Sequence, residues 1–240
     1  NYDTHIKYAT LDAWAKFKDT PERYQRYVQG RIASDMELIG WNGTSAAKDT
    51  DRNANPLLQD VNVGWLEHIR QDAPAQVMQE GVQGSGKIYI DPAAGDYKDL
   101  DALVFDVVSE LIQPWHQDDT KLVVICGRKM LSDKYFPIIN DAGDNQNKLA
   151  GQVLVSQKQI GGLKAVRVPF FPEDKLLITK LSNLSIYWQT GARRRHIDDE
   201  PKRNRIVNYE SSNDAYVVED YDCAALVENI VMGPNPAPGA

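Results

Sequence analysis

A few stretches of this 240-residue chain place reactive side chains in patterns that could do chemistry. "GVQGSGK", Gly81 to Lys87, has the spacing with which backbone N–H groups and a lysine cradle phosphate. That chemistry also wants Ser or Thr next, to hold magnesium, and a helix whose N-terminus faces the phosphates. Ile88 follows instead, "KIYI" reads as a strand, and the residues before the loop read as helix. A flexible turn is therefore expected, in preference to a nucleotide-binding enzyme using Gly81–Lys87. "HQDD" and "HIDDE" set His116 and His196 beside acids, but the four histidines form no H-x-x-x-H pair. No G-x-S-x-G or C-x-x-C occurs either, so these runs read as solvated faces and imply no metal, cofactor or catalytic residue.

The densest cluster is "GARRRHIDDEPKRNR", Gly191 to Arg205. Arg193, Arg194, Arg195, Lys202, Arg203 and Arg205 surround Asp198, Asp199 and Glu200. It could be a DNA-binding module, a catalytic cluster or a surface that meets another copy of the chain. The formal charge of the whole chain is -7. A protein that coats DNA needs net positive charge to displace phosphate counterions, so the local cluster works against the global field. Gly191 and Pro201 punctuate the stretch, which reads as a turn between the strands "LSIYWQ" and "RIVNYES". Mixed charges on such a turn suit contact with a neighbouring copy. Partly exposed pairs are worth ~0–1 kcal/mol each, weak enough for errors of assembly to be corrected. Trp41 and Trp115 stand at the ends of elements and join the candidate contact residues.

The elements that position these residues follow from periodicity. "NYDTHIKYAT" alternates as a half-buried strand, whose partner is expected upstream. The chain opens at Asn1 in mid-pattern and is expected to be a fragment or a processed product. "TLDAWAKF" reads as a short helix capped by Thr10. Pro21 to Gly40 carries Tyr24, Tyr27, Val28, Ile32, Met36 and Ile39 at helical spacing on one apolar face, with Thr20 as its cap and Gly40 or Gly43 to end it. "TSAAKDTDRNANP" is a polar loop, and "LLQDVNVGWLEHIRQDAP" reads as a second amphipathic helix. "DYKDLDALVFDVVSELIQPWHQ" gives the clearest helix, with Leu100, Leu103, Val104, Val107, Val108 and Leu111 on one face. "KLVVICG" reads as a buried strand in which Cys126 is a core residue, and "RKMLSDKYFPIIN" as a helix broken before Pro137. Cys126 and Cys223 lie far apart in sequence and no disulfide is expected. Strands dominate what remains. Helices early and strands late make the class α+β. No apolar run approaches the ~20 residues that span a membrane.

Six stretches carry a resemblance: "NPLLQDVNVGWL", "DYKDLDALVFD", "DKYFPIIN", "SQKQIGGLKAVRVPFFP", "LLITKLSNLSIYW" and "NYESSNDAYVVEDY". Together they resemble the major capsid protein of the P-two-like temperate tailed phages, from about Thr10 to Ile230. The resemblance implies the tailed-phage capsid fold of the Hong Kong 97 type, with peripheral and axial domains and a long spine helix. Residues 1–95 would be the peripheral domain, with Pro21 to Gly40 as the spine and Asn1 to Ala9 as the returning limb of the extended loop. Residues 96–204 would be the axial domain. Residues 205–232 would return to the peripheral domain, and 233–240 would be a disordered tail. The family's N-terminal arm and the outgoing limb of the loop have no counterpart in these residues. The implied function is structural: copies of the chain, as hexamers and pentamers, form an icosahedral head enclosing double-stranded DNA as cargo. A scaffolding protein and a portal protein are the implied partners. The implied place is the virion, assembled in the bacterial host cytoplasm.

Overall fold

The structure is a computed structural model that describes residues 1–17, 19–140 and 158–236. Its centre is a six-stranded sheet in the order β2-β12-β7-β4-β6-β5. Its strands are β2 (Val77–Met78), β4 (Leu122–Cys126), β5 (Gln159–Ile160), β6 (Leu163–Arg167), β7 (Leu176–Lys180) and β12 (Ala225–Val227). β4 is buried along its whole length, parallel to β6 and antiparallel to β7. Such a strand has two apolar faces, and successive side chains go to opposite sides. Leu122, Val124 and Cys126 face one core; Val123 and Ile125 face another. β7 and β12 divide in the same way, Leu177 and Leu226 turning from the side taken by Ile178 and Ala225.

The first core is roofed by helix α4 (Leu100–Leu111). Asp99 accepts a hydrogen bond from the Ala102 amide at 2.8 Å and so starts the helix on a capped turn. Leu100, Leu103, Val104 and Val107 are almost wholly buried, each worth ~1.5–3 kcal/mol of transfer free energy. The second core lies under the end of α2 (Thr20–Asn42) and α3 (Trp65–Asp72). Of the two glycines expected to end α2, Gly43 does so and Gly40 does not. The Trp65 ring lies 2.4 Å from where a Cβ at residue 40 would stand, so glycine is there for close approach. The helix ends at Gly43, whose amide bonds the Ile39 carbonyl.

Other expectations are corrected. Thr20 lies inside α2 and Asp19 takes the cap position. Thr10 lies inside α1 (Tyr8–Trp14) and does not cap it. Residues 57–64 are turns, with Leu58 at φ 58°, so only Trp65–Asp72 of the expected second helix forms. α6 (Arg128–Asn140) continues through Pro137. Cys126 and Cys223 are free and buried. β12 lies inside the central sheet between β2 and β7, and β13 (Ile230–Met232) pairs with β3 (Ile88–Ile90). The expected disordered tail is tied at its start, with Gly233 bonded to Ile90 and Asn235 to Ala94; residues 237–240 lie outside the described residues.

A buried ionic cluster joins these layers. The Glu228 side chain is 4% exposed and accepts from Arg70 at 2.7 and 3.0 Å, Lys175 at 2.8 Å and Gln79 at 3.1 Å. Burial alone would raise its carboxyl, but Arg70 and Lys175 bring it down to about 2.

Candidate subunit-contact surface

The phosphate-like loop is closed on itself. Gly84 and Gly86 adopt φ of 84° and 62°, and both amides donate to the Glu80 carboxylate at 2.9 and 3.1 Å. The donors that would cradle a phosphate already hold an anion of the chain's own. β2 precedes the loop, where helix was expected, and β3 follows it, so the loop does not lead into a helix as a phosphate-cradling loop does. His116 pairs with Asp220 at 3.0 Å and His68 with Asp72 at 3.2 Å. Among the described residues no group of three acid, histidine or cysteine side chains could hold a metal.

The stretch expected as a turn contains a strand. β9 (Arg194–Glu200) pairs antiparallel with β10 (Arg205–Ser211), and β10 pairs with β1 (Tyr2–Lys7). The partner of β1 is therefore at the far end of this chain. Only the tip of the hairpin is a turn: Pro201–Arg203 form one 3-10 turn, and Asn204 is left-handed at φ 50°. The register stacks Tyr2, Glu210 and Arg195 across one face, then Thr4, Asn208 and Ile197, then Ile6, Ile206 and Asp199.

That face looks onto the first half of α2 across a cleft of about 830 Å³. Ile6, Tyr24, Val28, Ile197 and Ile206 give it apolar walls, and Arg193, Arg194 and Arg195 line its rim. Tyr24 donates to the Thr4 hydroxyl at 3.2 Å across it. Much of this half of α2 is exposed, and Tyr27, expected on its apolar face, is 73% exposed because it turns from the cleft that Tyr24 and Val28 line.

The candidate charges divide into two groups. Arg195 bonds Asn208 at 2.8 Å and Glu210 at 3.2 Å. Arg205 bonds Glu200 at 2.7 Å and Arg203 approaches it at 3.6 Å. The Arg205 hydrogen bond chiefly lowers the Glu200 carboxyl below its ordinary value. Tyr8 donates to Asp199. Among the described residues Arg193, Arg194, Asp198 and Lys202 make no ion pair within the chain.

The two tryptophans part company. Trp41 is 6% exposed and packs on Trp65 and Phe171, with ring centroids at 4.8 and 5.2 Å. It is a core residue with almost no surface to offer a neighbour, which corrects the expectation. Trp115 is 68% exposed, as is Phe105 at 71% on the outer side of α4. Phe105 was legible, since it falls off the stripe set by Leu100, Leu103, Val104 and Val107.

A long helix and an outlying sheet set on a two-faced central sheet define the subunit fold of tailed-phage capsids. The chain superposes on the capsid of cyanophage A-1(L) with a TM-score of 0.59 at 12% identity, covering 95% of this chain and 76% of that one. At such identity the likeness concerns fold alone. Closer relatives supply the family. The model described as "Phage major capsid protein, P2 family" matches residues 1–230, and the chain belongs to that family. It is 48% identical over 242 residues to the "Capsid proteins" of Escherichia phage P2, covering 99% of this chain and 68% of the relative. Against the major capsid protein of Serratia phage KSP20 the figures are 40% over 239 residues, 97% and 68%. A solved structure titled "Satellite phage P4 procapsid including size determination (Sid) protein" matches with a TM-score of 0.89 at 47% identity, covering 97% of this chain and 70% of that chain. This is a structural protein of the phage capsid shell, with its place in the virion.

Proposed function

We propose that copies of this chain tile an icosahedral head around packaged double-stranded DNA, and that the Gly191–Arg205 stretch meets a neighbouring copy. The observation that carries the contact is the strand β9, exposed at every residue but its last, with Arg193, Arg194, Asp198 and Lys202 in or beside it making no ion pair among the described residues. Charges left unpaired within one subunit are free to set orientation against the next. Trp115 is a second contact point on the same grounds of exposure. The peripheral part comprises β1, α1, the first half of α2, β9 and β10. The axial part comprises the six-stranded sheet with α4 and α6. A scaffolding protein guides assembly and a portal protein occupies one vertex. Electron microscopy of the full-length gene product, co-expressed with its scaffolding partner, tests the reading. Closed shells are expected; a monodisperse monomer would refute it.

A further inference from the structure

The outer edge of β9 has no strand beside it. Among the described residues β9 pairs with β10 alone, and residues 194–200 make no other backbone hydrogen bonds. An open edge seven residues long is a template for another strand. Its sequence, RRHIDDE, is antisymmetric: two arginines and a histidine, then isoleucine, then two aspartates and a glutamate.

We infer that β9 pairs antiparallel with β9 of a second copy, about a two-fold axis at Ile197. The inference rests on the shell reading above and names the partner and the register of that contact. In this register Arg194 faces Glu200 of the second copy, Arg195 faces Asp199, His196 faces Asp198, and Ile197 faces its own counterpart. Every pair is complementary; the three charged pairs are each made twice and the Ile197 pair once, on the axis.

The pleat permits few alternatives. Antiparallel neighbours related by a two-fold axis present the same face of the sheet, so facing residues must both be odd-numbered or both even-numbered. The nearest other registers therefore slip by two. One slip sets Asp198 against Asp198 and Ile197 against Asp199. The other sets His196 against His196 and Arg195 against Ile197. Only the centred register matches charge along the whole strand. If the charges served merely to keep strands off this edge, their order would not matter.

Asp199 and Glu200 keep Tyr8 and Arg205 as partners inside the subunit, and their carboxylates can accept further bonds; the other side chains are available. Among the described residues Arg194 and Asp198 have no ion-pair partner, and Ile197 is 56% exposed. Arg195 uses Nε on Asn208 and Glu210, leaving its terminal N–H groups for the second copy. His196 stacks on Tyr209 with centroids 6.5 Å apart, on the face that carries Asp198. The product is a continuous sheet in the order β1-β10-β9-β9-β10-β1, with both copies of α2 on one side.

Cross-linking in shells of the full-length chain tests this. Ile197→Cys should give a covalent dimer on mild oxidation, resolved on a non-reducing gel, since cysteines facing each other across an antiparallel pair lie within disulfide reach. Cys126 and Cys223 are buried and should not contribute. Asp198→Cys, set against a histidine, should cross-link several-fold less. His196→Glu or Asp198→Lys alone should lower shell yield several-fold, and the two together should restore it. Shells that form normally in all three swap variants, and show no dimer through position 197, would overturn the pairing while leaving the shell reading intact. Failure of the unmodified full-length chain to form any shell would remove the shell reading, and the pairing with it.

Discussion

Replacing Glu228 by Gln keeps its shape and removes its charge, leaving Arg70 and Lys175 beside a neutral amide. The carboxyl stands at about 2 in the fold against an ordinary 4.5. At about 1.4 kcal/mol per unit, that difference is worth roughly 3 kcal/mol to the folded state at neutral pH. Stripping one partner from a buried ion pair costs ~3–5 kcal/mol, so the figure is of the right order. The sign fixes the pH dependence. A depressed carboxyl stabilises fully above about 4.5, and the contribution drains away as pH falls toward about 2. Urea denaturation of the wild-type chain and Glu228→Gln should differ by roughly 3 kcal/mol at pH 6 and by only ~1 kcal/mol at pH 3. Glu67 at 2.6 Å still pairs with Arg70, so the variant should fold. A difference that stays constant from pH 6 to pH 3 would refute the electrostatic account and leave a packing effect in its place.

Gly40→Ala drives a methyl into the Trp65 ring, which is wedged against Trp41 and Tyr216 and hydrogen-bonded to the Ser185 carbonyl. A loss of about 1–3 kcal/mol is expected by chemical denaturation. Lys87→Ala should leave a calorimetric ATP titration as flat as in the wild type, because Glu80 occupies the loop's amides; saturable heat that the substitution abolishes would restore the nucleotide reading. Arg193→Glu with Arg194→Glu should lower shell yield at moderate salt without changing the unfolding free energy by more than ~0.5 kcal/mol, since neither arginine has an ion pair among the described residues. Phe105→Ser, on the solvent side of α4, should be equally neutral for the isolated chain.

The parts of the fold that were legible are those where burial writes itself into residue type. α4 shows its stripe because Leu100, Leu103, Val104 and Val107 all turn inward. β4 shows as an unbroken apolar run because both its faces are covered. β9 was hidden because Ile197 is its single apolar residue; its neighbour β10 makes it a strand. Trp41 misled for the opposite reason. Position at the end of an element suggested surface, but α2 ends inside the second core, against Trp65 and Phe171. The turns at 57–64 looked helical because apolar spacing does not report the left-handed backbone at Leu58. Of the charged candidates, types and positions were plain, but which were already satisfied inside the subunit depended on cross-strand register that spacing alone does not contain.

The pairing of β1 with β10 also sets a timetable for synthesis. Lys7 faces Arg205, so the first strand leaves the ribosome nearly two hundred residues before its partner. At typical translation rates that is a wait of roughly 10–40 s. The central sheet is held open almost as long, because β12 fills the gap between β2 and β7. A nascent chain therefore carries neither a finished core nor a finished outlying sheet until β10 and β12 have been made. Chains that have not yet made β10 present no β9 edge to each other, so association through that edge is deferred until both partners have passed residue 211.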